Sequence, residues 1–283
     1  MKKHLVTSGK AIGFIAVWIA AVAVSSTPEI SEPSFFSNNG ALLRMWWELL
    51  PMSGVLLITG LFVLFVEKRK ITVPILCNPL KNALFGLALG CAWIGAAVLV
   101  LVLIGSLHFT GRHEIPYLGV WFLAVLFNAI MQEYLIRGYL FSLLKEKYNV
   151  FVAIIVTTIF FTIMHGGAFE AGIVAVMNVI TMSIFVSMLL VLTKSLLAPI
   201  IVHFIWNSVG RLIFGIVPLA DDYPCLVNGT LSGNIMISGG YAKLEGSIIV
   251  LIVNVLLIFF VLYKISNLSR KNANKKQVVL CFD

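Results

Sequence analysis

Charge is what this sequence has least of. Asp, Glu, Lys and Arg make up 11% of its 283 residues and hydrophobic types 60%, a balance that excludes both an ordinary soluble domain and a disordered chain. The four cysteines, Cys77, Cys91, Cys225 and Cys281, form no CxxC pair and no metal-ligand spacing. The topology read below leaves only Cys225 outside, which argues against a disulfide framework. The ending CFD is one residue short of a prenylation box, so Cys281 is not a lipid anchor on that ground. GxSxG and HExxH are both missing, which removes the usual signatures of serine hydrolases and zinc proteases. No internal repeat or low-complexity tract appears. The net charge of +8 does not call for nucleic acid, because membrane proteins collect Lys and Arg on their cytoplasmic side; no nucleic-acid partner is expected.

What is abundant is the long apolar run. Such runs fall near 10–26, 48–66, 83–106, 117–144, 149–165, 172–193, 196–216 and 246–265, each near the length needed to cross ~30 Å of hydrocarbon. Only helices satisfy their backbone in lipid without closing a barrel. The expected fold class is therefore all-α, a polytopic bundle of about eight transmembrane helices. The N-terminus has the look of a signal peptide, but seven further apolar segments argue for an uncleaved first span.

Basic residues choose a side. Of the 20 Lys and Arg, 15 fall on one face of this topology, from Lys2, Lys3 and Lys10 through Lys68, Lys145 and Lys194 to Lys264 and the tail, against Arg44, Arg112 and Lys243 on the other. The asymmetry places both termini in the cytoplasm, in a protein expected in the plasma membrane. The outer segment 27–47 carries a Trp pair suited to the interface, and 217–245 reads as irregular structure. Three parts follow: 1–117, N-terminal helices and loops; 118–214, a core holding the polar motifs; 215–283, an outer loop, a last helix and a basic tail.

Within the apolar runs lie three polar stripes. Asn128, Gln132, Glu133 and Arg137 share the fourth helix, with Glu133 and Arg137 four apart and able to pair. Phe161 and His165 end the fifth, where Gly166–Gly167 stop the helix. His203 and Asn207 are one turn apart on the seventh, with Arg211 beyond. Each alone is compatible with helix-to-helix bonding. Together, an acid, two histidines and an amide from different helices are the ingredients of a hydrolytic site. A carboxylate beside a histidine takes a proton from water, and an amide with a second histidine steadies an oxyanion.

These stretches resemble a known family. QEYLIRGYL (132–140), FTIMH (161–165) and HFIWN (203–207) are similar, in order, spacing and helix number, to the motifs EExxxR, FxxxH and HxxxN of the CPBP intramembrane proteases. That family comprises CaaX prenyl endopeptidases and bacteriocin-processing or self-immunity proteins, also called Abi. RGYLF after the arginine and TKSLLAPI before the last histidine are family-like too, and the likeness covers roughly 118–214. It implies an endopeptidase that hydrolyses a bond of a membrane-associated protein or peptide, of CaaX or leader type, with a water activated by Glu and His. Glu133 and His165 would then be the bases, His203 and Asn207 the oxyanion hole, and Gln132, Arg137 and Phe161 supporting residues, in a water-filled cavity open to the cytoplasm. No cofactor is expected; zinc on Glu133, His165 and His203 is the weaker version. The departure is Gln132, which stands where the family has its first acid and cannot accept a proton at neutral pH. It leaves open an inactive relative that binds a peptide or partner, for instance in immunity. A transporter ranks lower, since neither broken helices nor a repeated half is visible.

Overall fold

The computed structural model describes residues 2–36 and 38–280, with side chains from 4 to 270 within that range. Cys281 and the side chains of the basic tail beyond Arg270 lie outside the described residues. The chain opens with α1 (Lys2–Ser25) and a single turn, α2 (Pro28–Ser31). The second span, α3 (Gly40–Leu61), begins eight residues before the apolar run because Asn39 caps it, its side chain accepting from the amides of Ala41 and Leu42. Trp46 and Trp47 donate to the carbonyls of Ile30 and Ser31 at 2.8 Å, so the aromatic pair ties α2 to α3.

Next come α4 (Pro79–Leu103), β1 (Leu107–Arg112), α5 (Leu118–Glu133), α6 (Phe141–Lys147), α7 (Val150–Met164), α8 (Gly166–Ala171), α9 (Ile173–Thr193) and α10 (Leu197–Asn207). β2 (Val227–Leu231), α11 (Ile235–Ser238), a 3₁₀ stretch at Gly240–Gly246 and α12 (Ile248–Leu280) complete the order. Wider π-helical turns follow α3 at Phe62–Val66, α5 at Tyr134–Leu140 and α10 at Ser208–Ile213. The second and third begin right after Glu133 and Asn207, and such turns favour functional positions.

Among the described residues six helices are long and apolar enough to span a membrane: His4–Ser25, Gly40–Val66, Pro79–Leu103, Leu118–Lys147, Ile173–Thr193 and Gly240–Arg270. Val150–Met164 and Leu197–Ile213 are apolar but shorter. The fold is thus the all-α membrane bundle read from the sequence, and the count of eight is reached only with these two. The loop 217–245 departs from its irregular reading: β2 pairs antiparallel with β1, Leu107 opposite Leu231. A partner more than a hundred residues away leaves no trace in local composition.

The bundle's centre is set by how closely α10 lies on α4. A Cβ on Gly86 would stand 2.9 Å from the carbonyl oxygen of Ala198, and one on Gly90 2.9 Å from the Cβ of Ile205. Only glycine allows that approach, and it lets Trp93 of α4 stack on Trp206 of α10, ring centroids 4.0 Å apart. His203 and Asn207 are carried into the interior by this contact.

Candidate functional site

The anchor is the pair on the fourth span. Arg137 Nη1 donates to both oxygens of Glu133, at 2.9 and 2.8 Å. Its Nε reaches Ser187 Oγ at 3.1 Å, and its Nη2 reaches both the carbonyl and Oγ of Ser183 at 3.1 Å. Each of its nitrogens is therefore satisfied by the carboxylate or by α9. The guanidinium also lies 5.1 Å from the Phe161 ring centroid. Both charges are 0% exposed, a burial tolerated only because the pair is complete.

Glu133 Oε1 also receives His203 Nδ1 at 2.9 Å. A carboxylate only accepts, so His203 carries its proton on Nδ1 and its Nε2 is left for other partners. His165 sits between α7 and α8, where the helix breaks: the break falls at His165 itself, and the glycine pair opens α8 instead of ending the chain's turn. Its Nδ1 lies 2.8 Å from the Phe161 carbonyl, which fixes the proton there by the same reasoning and leaves Nε2 a bare acceptor. Phe161 thereby links Arg137 to His165, its ring 4.2 Å from that imidazole.

A cavity of about 280 Å³ is bordered by Gln132, His165, His203 and Asn207. Of the residues singled out from sequence, Glu133, Arg137, Phe161 and Arg211 do not border it. Glu133 lies behind His203 and reaches the cavity only through that imidazole. The Asn207 side chain makes no hydrogen bond among the described residues, and its amide is free for a ligand. The cavity also meets Pro218, Leu219 and Glu245, so it lies toward the base-poor ends of the helices. From the sequence, a cavity open to the base-rich side is expected instead. A second cavity of about 210 Å³ shares His165, Val179, Pro218 and Glu245 and continues to Tyr241, which is 89% exposed.

Gln132 is explained by a chain of polar groups that includes a residue passed over in the sequence, Glu48. Tyr223 O–H donates to Glu48 Oε1 at 3.1 Å, and Asn128 Nδ2 donates to Oε2 at 2.9 Å. Burial, with the carboxylate beside it, pushes the Tyr223 phenol above its ordinary value and keeps it a donor. Arg44 lies 3.6 Å from the same carboxylate and is paired with Asp222 at the surface. With its amide nitrogen given to Glu48, Asn128 turns Oδ1 toward position 132, where Gln132 Nε2 donates at 2.9 Å. Position 132 needs a donor, which glutamine supplies and a carboxylate does not. Gln132 Oε1 is left buried without a partner.

The second residue missed is Glu245, on the cavity wall. Nothing local marks it, since it precedes the last apolar run. Glu48 did carry a signal, an acid inside such a run. The zinc version fails on its donors: both Glu133 oxygens are held by Arg137, one of them also by His203, and no group of three metal-binding side chains comes together among the described residues.

Residues 113–209 match the family model described as type II CAAX prenyl endopeptidase, Rce1-like. This is the grouping that the three motifs resemble, and all three fall within the matched third of the chain. No curated protein and no solved structure matches the chain. A peptidase family on a bundle of apolar helices supports an integral membrane endopeptidase acting in a lipid environment.

Proposed function

We propose that this chain hydrolyses a peptide bond of a membrane-associated protein or peptide at the cavity bordered by Gln132, His165, His203 and Asn207. The observation that carries this reading is two histidines facing one cavity with Nδ1 committed, His165 to a carbonyl and His203 to the Glu133–Arg137 pair. His165 Nε2 takes a proton from water as the water oxygen bonds to the carbonyl carbon, and gives it to the leaving nitrogen as the C–N bond breaks. The oxyanion is met by Asn207 Nδ2 and, when His203 is protonated, by its Nε2. Glu133 is a positioning residue here: it orients His203 and balances its charge, while Arg137 and Phe161 hold Glu133 and His165 in place. Backed by a donor at 132, the amide chain from Glu48 shapes the cavity wall, so glutamine there is compatible with chemistry.

Side matters for substrate. With the basic loops in the cytoplasm of the plasma membrane, the cavity opens on the outer face, and that favours an exported or leader-type peptide over a cytoplasmic CaaX tail. The test is proteolysis of a peptide library containing both types by the full chain in liposomes, with His165→Ala and His203→Ala as controls. Leader-type cleavage that both variants lose is expected. Capture of a peptide without cleavage would favour the inactive, immunity-type binding protein, and equal cleavage by the variants would refute the site.

A further inference from the structure

Peptide hydrolysis on this reading has one unfilled position. The resembling family brings a carboxylate to the water, yet Gln132 is an amide and Glu133 is sealed behind His203. The cavity nevertheless has a carboxylate on its wall, from another element. Glu245, in the 3₁₀ stretch before α12, borders both the main cavity and the second one leading to Tyr241, and His165 does the same.

Its placement is held from several sides. Trp206 Nε1 donates to Glu245 Oε1 at 3.0 Å, and Trp206 lies between His203 and Asn207 on α10, stacked on Trp93. The Glu245 carbonyl accepts from Asn178 Nδ2 at 2.9 Å, as does that of Ser247. Asn178 is in turn bonded by Asn254, whose oxygen takes Trp93 Nε1 at 2.7 Å. The turn is closed so tightly that a Cβ on Gly246 would stand 2.1 Å from the Gly239 carbonyl. Among the described residues Oε2 has no hydrogen-bond partner. Glu245 is part-buried, and the oxygen not held by Trp206 stands free at the cavity.

We propose that Glu245 is a catalytic carboxylate of this site, sharing the attacking water with His165 in the place of the acid absent at position 132. This rests on the peptidase reading above. Glu245 Oε2, in place of His165, takes one proton from the water as the water oxygen bonds to the peptide carbonyl carbon; His165 Nε2 accepts a hydrogen bond from the remaining O–H, and the charge collects on the carbonyl oxygen before Asn207. As the C–N bond breaks, that proton passes to the leaving nitrogen, giving a carboxylic acid and an amine.

The experiment uses the full chain in liposomes with a peptide that the wild type cleaves. Glu245→Gln keeps an oxygen for Trp206 and is expected to lower kcat by about 10²–10⁴-fold, the usual worth of a general base, with KM little changed. In Glu245→Ala, added formate restores part of the rate, which a merely structural carboxylate would not allow. Glu245→Gln cleaving like the wild type while His203→Ala is inactive overturns this proposal and leaves the peptidase reading intact. Loss without formate rescue, or with a lowered denaturation midpoint in Glu245→Gln, overturns it as well. A wild type that cleaves nothing overturns both.

Discussion

Replacing Gln132 by Glu, which would supply the first acid of the motif that this stretch resembles, is expected to harm this protein. The new carboxylate would face Asn128 Oδ1 across the 2.9 Å now spanned by an N–H. Asn128 cannot turn over, because its nitrogen serves Glu48 at 2.9 Å. One hydrogen bond is lost and a buried acceptor is left facing another, a cost of about 1–3 kcal/mol, raised further by a second negative charge one amide away from Glu48. Reversing the polarity of the whole chain removes the conflict. In Glu48→Gln with Gln132→Glu, the new amide donates to Asn128 Oδ1, and Asn128 donates to the new carboxylate. Denaturant unfolding of the four proteins in micelles gives the double-mutant cycle. The double variant should exceed the sum of the singles by about 0.5–3 kcal/mol, the range for residues joined in one network. A Gln132→Glu protein as stable as the wild type, or additive singles, would refute the donor chain.

Other outcomes follow from the same contacts. Glu133→Ala leaves Arg137 buried without its anion and should cost about 3–5 kcal/mol, read as a lowered unfolding midpoint; Glu133→Ala with Arg137→Met should recover much of it. Gly86→Ala puts a methyl against the Ala198 carbonyl, where no side chain can yield. It should shift α10, cost about 1–3 kcal/mol as overpacking does, and lower turnover together with stability. In a background without native cysteines, Asn228→Cys and Glu146→Cys should react with an impermeant maleimide from opposite sides, Asn228→Cys from outside. Labelling of both from outside would reverse the orientation.

Much of this was legible because it is local. Apolar runs marked the helices, and the four-residue spacing in Glu133–Arg137, Phe161–His165 and His203–Asn207 put each pair on one face. Which side of Glu133 faces what was not legible, because that depends on α9 supplying Ser183 and Ser187 to Arg137. The purpose of Gln132 was hidden for a similar reason: Glu48 lies 80 residues from Asn128. Glu245 joins Trp206 across 39 residues, and its loop shows no periodicity to flag it. The end of α7 is marked by its glycines to within a residue, yet those glycines begin another helix.

The two histidines ride on the two shortest of the apolar helices. The 15 residues of α7 rise only ~22 Å at 1.5 Å per residue, against ~30 Å of hydrocarbon. A bilayer meets such a mismatch by thinning around the short helix or by letting its flanking groups reach out to the headgroups. Either response would bring His165, at the end of α7, near the level where lipid gives way to water. On the peptidase reading, thin or disordered lipid is expected to wet these residues and thick, ordered lipid to cover them, so cleavage should be faster in liposomes of short-chain than of long-chain lipid.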